Sequence, residues 1–94
     1  MSNNTFVSLT EITNRTIGNF QNQIFASRLN PELLIFDMES VSLVDSFGLR
    51  SMLSALRQIR ENGGELVLCH VQPTVMTILE LTEMDRVFRI SNAV

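Results

Sequence analysis

Apolar side chains recur along the chain with characteristic periods, and these periods predict where helices and strands lie. The clearest helical pattern runs through residues 46–60, where apolar positions are spaced by three and four. They are Leu49, Met52, Leu53, Leu56 and Ile59. Such a stripe is typical of a helix that packs one face on a core. The glycines at 63 and 64 suit the end of this helix, because glycine readily adopts the left-handed C-terminal conformation.

Two short runs, residues 33–38 and 65–70, are apolar with hardly any alternation. This pattern predicts strands that are covered on both faces, as in a parallel sheet. The helix at 46–60 lies between the two runs. The order strand, helix, strand therefore predicts a right-handed parallel crossover.

The remaining segments complete the predicted architecture. Residues 5–9 predict a strand, and residues 14–29 have apolar positions at helical spacing before Pro31 ends the helix. Pro73 suits the first turn of a third helix that runs to near residue 82, and residues 87–90 form either an edge strand or a tail packed on the core. We predict an α/β fold over residues 1–94, with a small mixed or parallel sheet of three to five strands and helices packed mainly on one side.

Composition narrows the functions that such a domain can have. A chain of 94 residues forms one core, and its net charge of −3 gives no basic field for a nucleic acid backbone. All seven basic residues are arginine, which excludes Schiff-base and phosphate-loop chemistry that needs lysine. No apolar run approaches the roughly 20 residues of a membrane span, and the first residues lack the pattern of a secretory leader. We therefore predict a cytoplasmic protein without nucleic-acid or membrane partners.

The carboxyl ends of parallel strands are where α/β proteins usually bind ligands and partners, and residues 39–48 are predicted to lie there. Asp45 or Ser46 occupies the expected N-cap of the main helix. In one interpretation Ser46 is only a cap. In the other, Ser46 is phosphorylated, because the free amides and the positive dipole end of a helix accept an anion. A phosphate beside Asp45 would repel a docked partner without unfolding the domain.

The same end of the sheet carries other residues that are able to support catalysis or bind a metal. Ser46 with His70 would suit a serine hydrolase, although the first glycine of a nucleophile elbow is missing. His70 is otherwise a polar residue at a strand exit, and Cys69 a small buried hydrophobic residue. With one cysteine and one histidine in the chain, metal binding is set aside and no cofactor is predicted.

Several short motifs occur together in one order: residues 41–49, 63–68, 73–82 and 85–88. In this order and spacing they resemble the STAS domain of sulfate transporters and anti-sigma factor antagonists, over roughly residues 33–90. The resemblance implies a mixed-sheet α/β domain and a role in bacterial partner switching, without enzymatic activity.

The resemblance also implies partners and site residues. An unphosphorylated antagonist binds a serine-kinase anti-sigma factor and is released when that kinase phosphorylates the serine that follows the aspartate, here Ser46. A metal-dependent serine phosphatase restores binding. Asp45, Gly48 and Leu49 match the same motif, and with Phe47 and Arg50 they form the predicted partner-binding surface.

The sequence leaves two alternative functions open. Phe47 stands where antagonists commonly carry serine or threonine and is similar to the aromatic residue of STAS scaffold proteins in stress-signalling complexes. The few residues before Phe6 leave room for only part of a first hairpin, which would expose a sheet edge to other STAS proteins. The other alternative, a nucleotide or small-anion sensor, has no phosphate-binding loop in this sequence.

Overall fold

The computed structural model describes residues 3–6, 9–27 and 33–91. In chain order the elements are β1 (Asn3–Phe6), β2 (Glu11–Ile12), α1 (Ile17–Ser27), β3 (Leu33–Asp37), β4 (Leu43–Val44), α2 (Ser46–Glu61), β5 (Glu65–Cys69), α3 (Pro73–Leu81), a short 3₁₀ helix (Met84–Arg86) and β6 (Arg89–Ile90).

The strands form two parallel sheets. The main sheet has four strands in the order β1-β3-β5-β6, and β2 pairs with β4 in a sheet of two strands. Each pair of neighbouring strands is parallel, and within the main sheet Asp37 is in register with Cys69. The predicted α/β fold is therefore confirmed, with strand pairing that is parallel throughout the described residues.

One face of the main sheet carries the hydrophobic core. Leu34 and Phe36 of β3 and Leu66 and Leu68 of β5 are buried. They form a single cluster with buried residues of all three helices: Phe20, Met52, Ala55, Leu56, Ile59, Val75 and Leu79. The ring of Phe20 meets that of Phe36 edge to face, with centroids 6.0 Å apart.

The other face of the main sheet is covered less than the sequence predicted. Ile35 and Val67 are only partly buried, and Leu33 is 39% exposed. The expectation of strands covered on both faces was wrong for this side, because the buried residues of the helices join the core on the opposite face. An apolar run without alternation therefore does not require cover on both faces.

Several helices and strands begin or end at residues other than the predicted ones. The first strand is Asn3–Phe6 rather than 5–9, with residues 7 and 8 outside the described part. The first helix begins at Ile17, because Thr13–Thr16 hydrogen bonds form a turn before it; its predicted end at residue 29 also lies outside the described part. Residues 89–90 are a strand paired with β5, which settles the choice between edge strand and tail.

Within the described ranges, no helix has the length and apolar character needed to cross a membrane.

Candidate functional site

The main helix is capped by Asp45 and not by Ser46. The backbone of Asp45 is extended, and its Oδ1 accepts the backbone N–H of Gly48 at 2.8 Å. This is the usual bond from an N-cap side chain to the third helical residue. Ser46 is the first residue of α2 and is exposed. The choice between Asp45 and Ser46 as the cap is therefore decided, and the side chain of Ser46 is not required for capping.

The carboxylate of Asp45 also joins two distant parts of the chain. Its Oδ2 accepts the backbone N–H of Asn14 at 3.0 Å, and its own backbone N–H donates to the Ile12 carbonyl at 3.3 Å. The hydrogen bonds from Asn14, first, and Gly48, second, stabilise the charged carboxylate and lower the pKa of Asp45 from its ordinary value. The start of α2 is thus tied to β2 and to the turn before α1.

Gly48 is buried where the first turn of α2 crosses β2. A Cβ at this position would lie 1.8 Å from the Ile12 carbonyl oxygen and 2.7 Å from its carbon. No side chain fits in that space, so the glycine allows the helix to approach the strand. Any contribution of Gly48 to partner binding is indirect, through the position of the helix start.

Phe47 and Arg50 form the exposed part of the predicted surface. Phe47 is 48% exposed, and the guanidinium carbon of Arg50 lies 5.9 Å from the centroid of its ring, within cation–π range. Leu49 points the other way and packs against the core. Of the predicted binding residues, Phe47 and Arg50 are on the surface, Asp45 is half-buried, and Gly48 and Leu49 are turned inward; Ser46, the predicted phosphorylation site, is exposed beside them.

A shallow groove of about 230 Å³ between α1 and α2 adjoins this surface; it is lined by Ile17, Gln21, Phe47, Arg50, Ser51 and Ser54. Ser51 was missed by sequence reasoning. It is buried, and no hydrogen-bond partner within the described residues satisfies its Oγ. Leaving a buried hydroxyl unpaired costs about 1–3 kcal/mol. The sequence does contain a signal for it: Ser51 lies next to Met52 of the apolar stripe, and helical spacing places such a residue at the border of the core.

His70 belongs to a different group of side chains at the ends of β3 and β5. Its Nδ1 lies 3.1 Å from Asp37 Oδ1 and 3.8 Å from Cys69 Sγ. Cys69 is buried, as predicted, and burial, followed by the charge of Asp37, raises the pKa of its thiol. Sequence reasoning missed Asp37, which reads as one polar residue at the end of an apolar strand; the register with Cys69 brings it to the cluster.

The chain is similar to proteins of one known family. The family model of the STAS domain matches residues 5–94. BtrV of Bordetella bronchiseptica, which is assigned as an anti-sigma factor antagonist, is 32% identical over 60 residues, which cover 64% of this chain and 52% of BtrV. The chain therefore spans about half the length of this relative.

Two solved structures share the fold. An assigned anti-sigma factor antagonist of Thermotoga maritima has a TM-score of 0.83 at 21% identity, covering 100% of this chain and 83% of its own. The anti-sigma factor antagonist SpoIIAA in its unphosphorylated form has a TM-score of 0.68 at 16% identity, covering 100% of this chain and 84% of its own. At sequence identities of 21% and 16%, the similarity to these two structures shows a shared fold alone.

Proposed function

This chain is a member of the STAS domain family, and on that premise we propose that it is an anti-sigma factor antagonist whose binding is switched by phosphorylation of Ser46. Its partner in this proposal is a serine-kinase anti-sigma factor, which binds the unphosphorylated form. The observation that carries the proposal is the exposed Ser46 at the first position of α2, next to a cap that Asp45 supplies.

The helix start supports addition of a phosphate without unfolding. Ser46 is not the cap, so modification of its hydroxyl leaves the bond from Gly48 N–H to Asp45 in place. The positive dipole end of the helix favours an anion at this position. A phosphate adds about −1.5 to −2 charges, which would bring the net charge from −3 to about −5.

The exposed side chains next to Ser46 provide the binding surface. An exposed aromatic ring and an arginine are the residue types that most often dominate binding energies at interfaces, and Phe47 and Arg50 supply them. The adjoining groove, lined in part by Gln21 and Ser54, extends this surface towards α1.

The spacing of Ser46 and Arg50 suggests how a phosphate acts on this surface. Residues four apart on a helix are neighbours on its surface, so a phosphate on Ser46 would attract the Arg50 guanidinium. Arg50 would then leave the ring of Phe47, over which it lies at 5.9 Å. Phosphorylation thus adds charge and also rearranges the contact that the partner recognises.

The other partner in this proposal is a metal-dependent serine phosphatase that removes the phosphate and restores binding. The chain itself performs no catalysis in the cycle: it is the substrate of one enzyme and then of the other.

The proposal is tested with a serine-kinase anti-sigma factor encoded in the same genome. Incubation with that kinase and ATP should add one phosphate to the wild-type chain by intact mass, and none to Ser46→Ala. Thr77→Ala is the matched control, since Thr77 is an exposed hydroxyl residue on α3, outside the groove and the proposed binding surface, and this variant should be phosphorylated like the wild type. Phosphate on Ser46→Ala would overturn the assignment.

A second candidate is a scaffold that docks on other STAS proteins. It is favoured by large apolar side chains on the surface, namely Leu43 at 46%, Phe47 at 48% and Leu81 at 80% exposed. Light scattering at micromolar concentration separates the two functions. A self-assembling scaffold gives a mass above that of one 10.6 kDa chain, whereas a free antagonist remains a monomer.

A further inference from the structure

Three side chains with metal-ligating atoms meet at the carboxyl ends of β3 and β5: Asp37, Cys69 and His70. One ligand atom from each lies within 4.8 Å of the others. From the sequence, metal binding was set aside, because a single cysteine and a single histidine need a carboxylate beside them. The structure supplies that carboxylate in Asp37.

The distances within the cluster suit a zinc-sized ion. Zn²⁺ binds carboxylate oxygen, imidazole nitrogen and thiolate sulfur at about 2.0–2.3 Å in a tetrahedron, which places ligand atoms roughly 3.3–3.8 Å from one another. The His70 Nδ1 lies 3.1 Å from Asp37 Oδ1 and 3.8 Å from Cys69 Sγ. Both distances are close to that spacing, and all three ligand atoms lie within 4.8 Å of one another.

The backbone holds the three residues in this arrangement. Asp37 and Cys69 are register partners on neighbouring parallel strands, and the next residue, Met38, donates its N–H to the Cys69 carbonyl at 2.9 Å. The Asp37 Oδ1 accepts the N–H of Glu39 at 3.0 Å, which orients the carboxylate as outer hydrogen bonds do around metal ligands.

The conformation of His70 is the second distinctive feature of the cluster. Its φ is +53°, in the left-handed region that non-glycine residues rarely adopt. Because this backbone turns sharply after β5, the imidazole comes back over the strand ends to Asp37 and Cys69.

We propose that Asp37, Cys69 and His70 form a binding site for a Zn²⁺-class divalent cation, with the carboxylate, the thiolate and the imidazole Nδ1 as ligands. The fourth position is open to water, since the side chains of His70 and Asp37 are 39% and 24% exposed. When the metal–sulfur bond forms, the Cys69 thiol loses its proton to solvent. The site uses none of the residues assigned to partner binding and does not depend on the proposed switch.

The test is a metal titration of the 94-residue chain, purified free of metal and kept reduced with a phosphine. Competition with a chromogenic chelator should show one tightly bound Zn²⁺ per chain, and Co²⁺ should give a thiolate-to-metal charge-transfer band. Cys69→Ser should abolish that band, and Asp37→Asn and His70→Gln should each weaken Zn²⁺ binding by about tenfold or more.

Two comparisons make the result decisive. Asp85→Asn, which changes an exposed acid of the 3₁₀ helix, should bind Zn²⁺ like the wild type. Circular dichroism checks folding; if Cys69→Ser does not fold, His70→Gln, at a residue exposed on the surface, decides the matter. Absence of stoichiometric binding, or equal affinity in His70→Gln and the wild type, overturns the proposal.

Discussion

The carboxylate of Asp45 accepts the backbone N–H of Asn14 at 3.0 Å across 31 positions of sequence. The same carboxylate caps α2 through the N–H of Gly48. One side chain therefore positions the start of the main helix relative to the turn before α1. It leaves the neighbouring Ser46 exposed on the surface.

The first prediction concerns the pH dependence of stability. Hydrogen bonds to Asp45 lower its pKa in the folded state below the unfolded value of about 3.9. The stabilisation is therefore complete above that pH and is lost as the pH falls through the folded pKa. Asp45→Asn lacks this charge, so its deficit in unfolding free energy relative to the wild type should shrink between about pH 6 and pH 2.

Urea unfolding at a series of pH values measures that deficit. Ser46→Ala, which removes a neighbouring hydroxyl but no charge, should show a difference from the wild type that does not change with pH. A deficit of Asp45→Asn that stays constant down to pH 2 would contradict the assigned role of the charge.

The second prediction compares two glycines. Gly48→Ala should lower the free energy of unfolding by about 1–3 kcal/mol or more, because its Cβ would lie 1.8 Å from a backbone oxygen of β2. Gly18 is exposed on α1, and the Cβ added by Gly18→Ala would have no other atom within 4 Å. It should raise stability by up to about 1 kcal/mol through helix propensity. Chemical denaturation gives both values, and a shared sign would refute the packing argument.

The third prediction concerns Glu83, which follows α3 with φ at +59°. Left-handed backbone costs a residue with a Cβ roughly 1–2 kcal/mol. Glu83→Gly should therefore be more stable than Glu83→Ala by about 1 kcal/mol. Both variants lose the weak, exposed ion pair with Arg86, so their difference in thermal or urea unfolding isolates the backbone effect. Equal stability would show that the turn carries no such strain.

The fourth prediction concerns the proposed surface that binds the anti-sigma kinase. Phe47→Ala should weaken the complex with the anti-sigma kinase by about tenfold or more, as expected for an exposed aromatic at the centre of a binding surface. Leu81→Ala removes an apolar side chain that is 80% exposed on another helix and should leave this affinity unchanged. Calorimetric titration with the kinase measures both. A loss in Leu81→Ala as large as that in Phe47→Ala would contradict the assignment of the binding surface to the start of α2.

The sequence predicted most of the main elements because their buried residues form either an apolar stripe at helical spacing or a short apolar run. The stripe from Leu49 to Ile59 located α2 to within one residue at its carboxyl end, and the apolar runs located β3 and β5. The strands β2 and β4 have two residues each, too few to show any period, and the structure alone reveals them.

The candidate site could be predicted only in part, because its geometry depends on distant contacts. Asp45 and Ser46 are both good caps, and the contact with Asn14 that decides between them spans two elements. Asp37 lies beside Cys69 because of the register between β3 and β5, and the sequence pattern of each strand does not determine that register.

Residues 45–50 are of two kinds, those that hold the start of α2 in place and those that are exposed. The close approach of Gly48 to the Ile12 carbonyl belongs to the first kind. Gly48 and Leu49 must stay as they are for the helix to lie on the strand and the core, and Asp45 must stay for the cap. Positions 46, 47 and 50 are exposed. Positions 47 and 50 can therefore vary without disturbing this packing, so a change of partner needs no change of fold, whereas Ser46 has to stay if the proposed switch is kept.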